Sequence, residues 1–334
     1  MLAWILKGPA APLVLEERPD PEPGPGEAVV SLRAAALNHR DVWLQQGNYF
    51  MSKYPVVLGA DGAGEVVKVG SKVDRSWLGR AVIVNPGVGW GDNEKFALDD
   101  FKTLGTPEDG TFAEKLLIPA SQLYDQPKHL DVVHAAALPL AGLTGFRALF
   151  GRGGLVEGEH VLVTGAGGGV AQFMLQFAVA AKARVYVTTS SREKLDRARS
   201  LGALGGVNYK DADWAEQLAK VVPGGFNLIV DSACGPGFGK FVSLASPGGR
   251  IVYFGLTAGP APALDMRNFY RKQLSLLGTK MGSLRDFAAM CAFVEKHRLV
   301  PVVDSVTPFK SLDKAFEKLH HGGQFGKMAF TFDG

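Results

Sequence analysis

Two hydrophobic rhythms divide the chain. Up to about residue 124 the apolar positions come in short runs between Gly and Pro turns. Residues 28–36, 64–69, 78–84 and 110–118 therefore read as strands, and Pro21-Glu-Pro-Gly-Pro-Gly26 as a stiff connector. This pattern predicts a β-rich, barrel-like domain. From about Leu130 the periods lengthen. Residues 132–150 are helix-rich, and strands at 161–164, 184–188, 227–231, 250–254 and 274–278 alternate with helices at 170–181, 192–201, 213–221 and 237–245. Alternation of this kind predicts an α/β fold with a doubly wound parallel sheet. The tail reads as helix 284–297, strand 302–308, helix 311–320 and strand 327–332. It has no place in a completed six-stranded sheet, so it is expected to return to the first domain. The expected division is 1–124 with 284–334, and 125–283.

The second rhythm opens on Val161-Leu-Val-Thr-Gly-Ala-Gly-Gly-Gly-Val-Ala171, an apolar strand running into a glycine turn and then a helix. Free N–H groups and the dipole at such a helix start favour a phosphate. The dinucleotide fingerprint is imperfect in either frame, since Gly165-x-Gly167-x-x-Val170 fails at its last position and Ala166-x-Gly168-x-x-Ala171 at its first. The strand before and the helix and strand after still point to a dinucleotide diphosphate on Gly167, Gly168, Gly169 and Val170. The end of the next strand selects the cofactor. An NAD site places a carboxylate about 20 residues beyond the glycines, whereas this chain has Thr188-Thr-Ser-Ser-Arg-Glu-Lys194. Ser190, Ser191, Arg192 and Lys194 suit the 2′-phosphate of NADPH. The other reading is a capping serine and solvated cations.

Composition narrows the function classes. The 334 residues, 46% of them hydrophobic, are enough for two cores. A net charge of +3 gives no reason to expect a nucleic acid or a membrane surface as partner. The two cysteines, Cys234 and Cys291, lack any disulfide or zinc spacing, which suits a reducing, cytoplasmic setting. The apolar start is cut short by Lys7, Gly8 and Pro9, too soon for a signal or membrane segment.

Five motifs in order carry a resemblance: Ala36-Leu-Asn-His-Arg-Asp41, Leu58-Gly-Ala-Asp-Gly-Ala-Gly-Glu-Val66, Gly110-Thr-Phe-Ala-Glu114, Leu138-Pro-Leu-Ala-Gly-Leu-Thr-Gly-Phe146 and the glycine turn. Together they resemble the medium-chain dehydrogenase/reductase superfamily on its zinc-free quinone oxidoreductase side. The resemblance implies a GroES-like catalytic domain built from both chain ends, a Rossmann domain between them, an active site in the cleft and a homodimer. It also marks where zinc relatives carry metal ligands. Asn38 and Ala60 stand at two of those places, no Cys lies between Pro139 and Gly142, and residues 85–104 lack the cysteines of a structural zinc lobe. Trp90, Phe96 and Phe101 make that lobe read as a packed loop instead. No metal is expected.

The resemblance further implies that Asn38 orients the nicotinamide or polarises a substrate carbonyl, and that Trp43 and Tyr49 line a flat pocket, with Tyr49 also a candidate acid. Arg40 meets substrate or cofactor phosphate, or else pairs with Asp41 or Asp61. Asp61, placed in the substrate pocket, either performs acid chemistry or hydrogen-bonds backbone. Thr144 touches the nicotinamide side, Tyr209 flanks the adenosine phosphates after a third strand, Phe254, Gly255 and Leu256 end a strand at the ligand edge, and Lys327 lies near the cofactor. Without a Lewis acid, an acceptor that delocalises charge is the better small-molecule substrate. The expected function is NADPH-dependent reduction of quinones or α,β-unsaturated carbonyl compounds. The alternatives are a zinc-free alcohol, aldehyde or ketone oxidoreductase, and a low-turnover NADPH-binding structural or RNA-binding protein.

Overall fold

A computed structural model describes residues 1–49 and 53–332. In the first stretch of chain the elements are β1 (Leu2–Leu6), β2 (Leu13–Glu17), β3 (Glu27–Ala36), α1 (His39–Gln45), β4 (Val56–Val57), β5 (Asp61–Val69), β6 (Ala81–Val84), β7 (Gly87–Val88), β8 (Lys102–Thr103), β9 (Lys115–Pro119), β10 (Leu123–Asp125), α2 (Val132–Ala137) and α3 (Pro139–Phe146). β3 is buried along nearly its whole length, so it reads as a run rather than an alternation. β5 starts on Asp61-Gly-Ala-Gly64, small enough to lie close against β3: a Cβ on Gly64 would stand 2.0 Å from the Ser31 carbonyl oxygen. The expected strand at 110–118 is shorter than its apolar run. Only β9 pairs along β3, because residues 112–114 cross toward β1, through Trp4 N–H to Phe112 O and Glu114 N–H to Leu2 O, with Glu114 O still accepting the Leu32 N–H of β3.

The second unit spans Thr144–Met281. It begins with a π-helical segment, Arg147–Arg152, and continues as β11 (His160–Val163), α4 (Gly169–Ala180), β12 (Arg184–Thr189), α5 (Arg192–Ser200), β13 (Gly205–Asn208), α6 (Trp214–Val221), β14 (Phe226–Asp231), α7 (Phe241–Leu244), β15 (Ala245–Tyr253), α8 (Met266–Arg271) and β16 (Ser275–Gly278). The sheet runs β13-β12-β11-β14-β15-β16, all parallel, so the strand order reverses between β11 and β14. Open α/β sheets bind ligands at the carboxyl ends beside that reversal. Val161, Leu162 and Val163 are fully buried, as the covered centre of such a sheet requires.

The tail consists of α9 (Leu284–His297), β17 (Val303–Pro308), α10 (Leu312–His321) and β18 (Lys327–Thr331). It rejoins the first stretch, giving a unit of Met1–Leu143 with Gly282–Gly334. The first junction therefore falls at 143/144, where the sequence places it at 124/125. β18 pairs antiparallel with β3 and continues the order β10-β6-β5-β3-β18-β17. Phe330 and Phe316 of the tail pack edge-on to Phe112 at centroid distances of 5.4 and 5.8 Å. Burying each such ring stabilises the join by about 1.5–3 kcal/mol. Among the described residues no helix is long and apolar enough to cross a membrane.

Candidate active site

In the first unit, the ends of three elements bring Asn38, Asp61 and Lys327 together. Asn38 is the N-cap of α1, Asp61 opens β5 and Lys327 opens β18. The register of β3 sets Ala36 opposite both Asp61 and Ala329, so the two strand starts flank the β3 end that leads into Asn38. All three side chains are buried, Asp61 fully. The Lys327 ammonium donates to Leu37 O at 2.6 Å, Asn38 Oδ1 at 2.7 Å and Asp61 Oδ2 at 2.8 Å. Asn38 Nδ2 donates to the same Asp61 oxygen at 2.9 Å, and Asp61 Oδ1 accepts the Leu140 N–H, near the start of α3, at 2.6 Å. Each buried charge is thus paired and hydrogen-bonded, the condition under which a buried ion pair persists.

The other residues expected around this site divide. Arg40 donates to Leu104 O at 2.8 Å and stands 3.8 Å from Asp41 Oδ1, so of its expected partners it meets Asp41. Trp43 is half-buried with its ring 6.1 Å from that of His39. Tyr49 is half exposed. In the lobe expected to be packed, Trp90 is buried edge-on against Phe101, but Phe96 is 59% exposed and takes no part. That correction follows from β7 and β8, which fold back as a two-stranded ribbon too small to cover a third ring.

The donor set does not fit zinc. Asn38 and Ala60 stand where the resemblance places ligands, and among the described residues no three His, Cys, Asp or Glu side chains gather. An ion beside Asp61 would also meet the Lys327 ammonium, already 2.8 Å from that carboxylate.

In the second unit the glycine turn has the form a diphosphate requires. Gly165 takes φ +63, and its N–H donates to Thr188 Oγ1, while Ala166 N–H donates to Thr188 O, so the loop is pinned to β12. Gln172 Nε2, inside α4, bonds the Ala166 carbonyl. Gly168 is the α4 N-cap at φ −74, ψ 149 and contributes no side-chain cap, so the first-turn amides at Gly169 and Val170 face no protein acceptor from it. α5, by contrast, is capped by Ser191, which accepts the Lys194 N–H at 3.3 Å. Arg192 is exposed, with Nε 3.6 Å from Asp196. The capping reading of Ser191 is therefore part of the structure, and Ser190 and Arg192 remain at the carboxyl end of β12.

Around the same edge, Tyr209 follows β13 and is 46% exposed, and Phe254, Gly255 and Leu256 follow β15. Thr144 is buried at the start of the unit, its hydroxyl 3.9 Å from Met281 Sδ. Asp231 was not singled out from the sequence. At the end of β14 it accepts Thr164 Oγ1 at 2.5 Å, Ala233 N–H at 3.0 Å and Cys234 N–H at 2.7 Å, bridging the two strands that flank the reversal. Burial pushes its carboxyl above the usual range. A carboxylate ending a central parallel strand was the available signal.

Comparison with known proteins agrees with both halves. A family model described as an alcohol dehydrogenase GroES-like domain matches residues 24–128, and one described as a zinc-binding dehydrogenase matches residues 169–296. The chain is 37% identical to the zinc-type alcohol dehydrogenase-like protein YogA of Leptosphaeria maculans, over 95% of this chain and 94% of that protein. It is 31% identical to an acryloyl-coenzyme A reductase of Metallosphaera sedula, over 99% of this chain and 100% of that protein. Among solved structures it is similar to an NAD-dependent alcohol dehydrogenase, with a TM-score of 0.93 and 35% identity, covering 99% of each chain.

Proposed function

Since the chain belongs to the medium-chain dehydrogenase/reductase superfamily of oxidoreductases, we propose that it reduces α,β-unsaturated carbonyl compounds or quinones with NADPH. The observation that carries this reading is the Asn38–Asp61–Lys327 cluster, in which Asn38, at a place where the resemblance puts a metal ligand in zinc relatives, is a hydrogen-bonding group held by a carboxylate and an ammonium. Hydrogen bonds alone stabilise a lone alkoxide less than a Lewis acid does, which favours an acceptor that spreads its charge. Similarity to an acryloyl-coenzyme A reductase supports the activated double bond.

When bound, NADPH supplies a hydride from its nicotinamide ring. The residues of the chain do the rest. The Gly168 N–H is donated to Gly165 O at 2.9 Å, so the amides of Gly167, Gly169 and Val170 would hold the diphosphate, and Ser190, Arg192 and Lys194 the 2′-phosphate. Asn38 polarises the carbonyl oxygen. Its Nδ2 would donate to the oxygen on which enolate charge gathers when the conjugated carbon takes up a hydride, and water would supply the proton to the α-carbon.

A second reading, reduction of simple aldehydes or ketones, draws on the similarity to an NAD-dependent alcohol dehydrogenase. Steady-state oxidation of NADPH and NADH against enones, enoyl thioesters, quinones and simple aldehydes separates the two. Turnover of enones or quinones is expected, turnover of simple aldehydes alone would establish the second reading, and turnover of none would favour a binding role.

A further inference from the structure

We infer that Lys327 is a positioning residue, which with Asp61 locks the Asn38 carboxamide so that it can act toward a ligand only as a hydrogen-bond donor. This rests on the oxidoreductase reading above and gives Lys327, expected near the cofactor, a task on Asn38 rather than on the cofactor itself. An ammonium has three N–H donors, and those of Lys327 go to Leu37 O, Asn38 Oδ1 and Asp61 Oδ2 at 2.6, 2.7 and 2.8 Å. The side chain is 3% exposed, so a phosphate oxygen could reach it only by displacing one of these buried partners.

The same contacts remove the ambiguity of an amide. Asn38 Oδ1 faces a cation and Nδ2 gives one proton to Asp61 Oδ2 at 2.9 Å. Flipping the group would set its NH2 against the ammonium and its oxygen against the carboxylate, two repulsive contacts in a water-poor place. Among the described residues the second Nδ2 proton has no acceptor, and the Lys327 ammonium at the amide oxygen makes it a stronger donor. Asp61 is itself held through the Leu140 N–H at 2.6 Å, so the cluster is anchored to α3 as well as to β3 and β18. A donor fixed in advance is what a carbonyl oxygen gathering charge requires, because no reorientation is needed during the reaction. Of the three side chains in the cluster, Asn38 is the one that meets the ligand, and Lys327 and Asp61 act through it.

The test compares Lys327→Met and the charge-balanced pair Lys327→Met with Asp61→Asn, which leaves no buried carboxylate without its counter-ion, together with Asn38→Ala and the triple variant. Each is measured for ADP-ribose affinity by calorimetry, for kcat and KM, and for thermal unfolding. ADP-ribose carries the diphosphate without the nicotinamide. Its Kd should stay within about twofold while kcat falls on the order of 100-fold. Adding Asn38→Ala to the charge-balanced pair should lower kcat little further, because the groups act as a unit. A tenfold weaker ADP-ribose complex in the folded charge-balanced variant would instead make Lys327 a phosphate ligand and overturn the inference, as would fully additive kcat losses. Failure of the functional reading looks different: the wild-type protein would then bind neither ADP-ribose nor 2′-phospho-ADP-ribose, which removes the inference too, or would reduce only simple aldehydes, on which the same kcat comparison still decides it.

Discussion

At the first turn of α1 the Asp41 carboxylate is fully buried, accepts the Asn38 N–H at 2.8 Å through Oδ2, and has no hydrogen bond to Oδ1. Burial, only partly offset by Arg40, raises its pKa from 3.8 to about 6. The folded protein therefore holds this proton more tightly than the unfolded chain. Its contribution to stability is fully present below pH 3.8 and is lost as pH rises through about 6. A shift of this size corresponds to about 3 kcal/mol. Asp41→Asn keeps an acceptor for Asn38 and removes the charge, so its unfolding midpoint should exceed that of the wild type at pH 8 and converge on it near pH 4. A gap that persists unchanged at pH 4 would show that the carboxylate is not the cause. Arg192 is the residue on which cofactor choice can be tested. Arg192→Ala should raise the KM for NADPH about tenfold while sparing NADH, since only the former carries the phosphate. Equal effects on both nucleotides would return this arginine to its surface pairing with Asp196.

At the scale of elements, glycines in similar motifs do different work. A Cβ on Gly168 would find only the Gly165 carbonyl oxygen, at 3.4 Å, and its φ of −74 suits any residue. The fold does not need glycine there, but a diphosphate approaching the α4 amides does. Gly168→Ala should leave the unfolding midpoint within a degree or so and weaken nucleotide binding on the order of tenfold. Gly64 is the opposite case, since a Cβ would overlap the Ser31 carbonyl at 2.0 Å and force β3 from β5. Gly64→Ala should cost about 1–3 kcal/mol or more, seen as a lower denaturant midpoint without any specific loss of nucleotide affinity. The elements themselves were legible wherever burial followed a period: Leu284–His297 is a helix with the bounds read from its pattern, opened by Ser283 and Asp286 as a capping box. They were less legible where backbone partners decide. Gly205-Gly-Val-Asn208 has only Val207 as an apolar residue, yet it completes the sheet beside β12.

At the scale of the whole molecule, β16 pairs only β15 among the described residues, and Leu276 on it is 39% exposed. An open edge carrying an apolar side chain is a place for another strand. We propose that a second copy of the chain covers it, so light scattering should give twice 35.6 kDa. Leu276→Lys should shift the population toward the single chain, and a monomeric wild type would sink the proposal. Dialysis against a chelator should leave turnover intact, because the cation beside Asp61 belongs to the chain. A loss restored by zinc would reverse the reading of the cluster.

What the sequence determined by itself is whatever depends on spacing along one segment. The strand, glycine turn and helix at 160–180, the two fold halves and the return of the tail all follow from local periodicity and from chain that had no other place to go. The absence of sulfur and imidazole from the expected ligand positions needed no coordinates either. The working of the site was decided only by tertiary structure. Asn38 and Lys327 lie 289 positions apart, and Asp61 and Lys327 lie 266 apart. Nothing in one dimension says that the lysine spends all its protons on them. Strand register does, because the pairing of β3 with β5 and β18 is what brings an amide, a carboxylate and an ammonium within hydrogen-bonding distance.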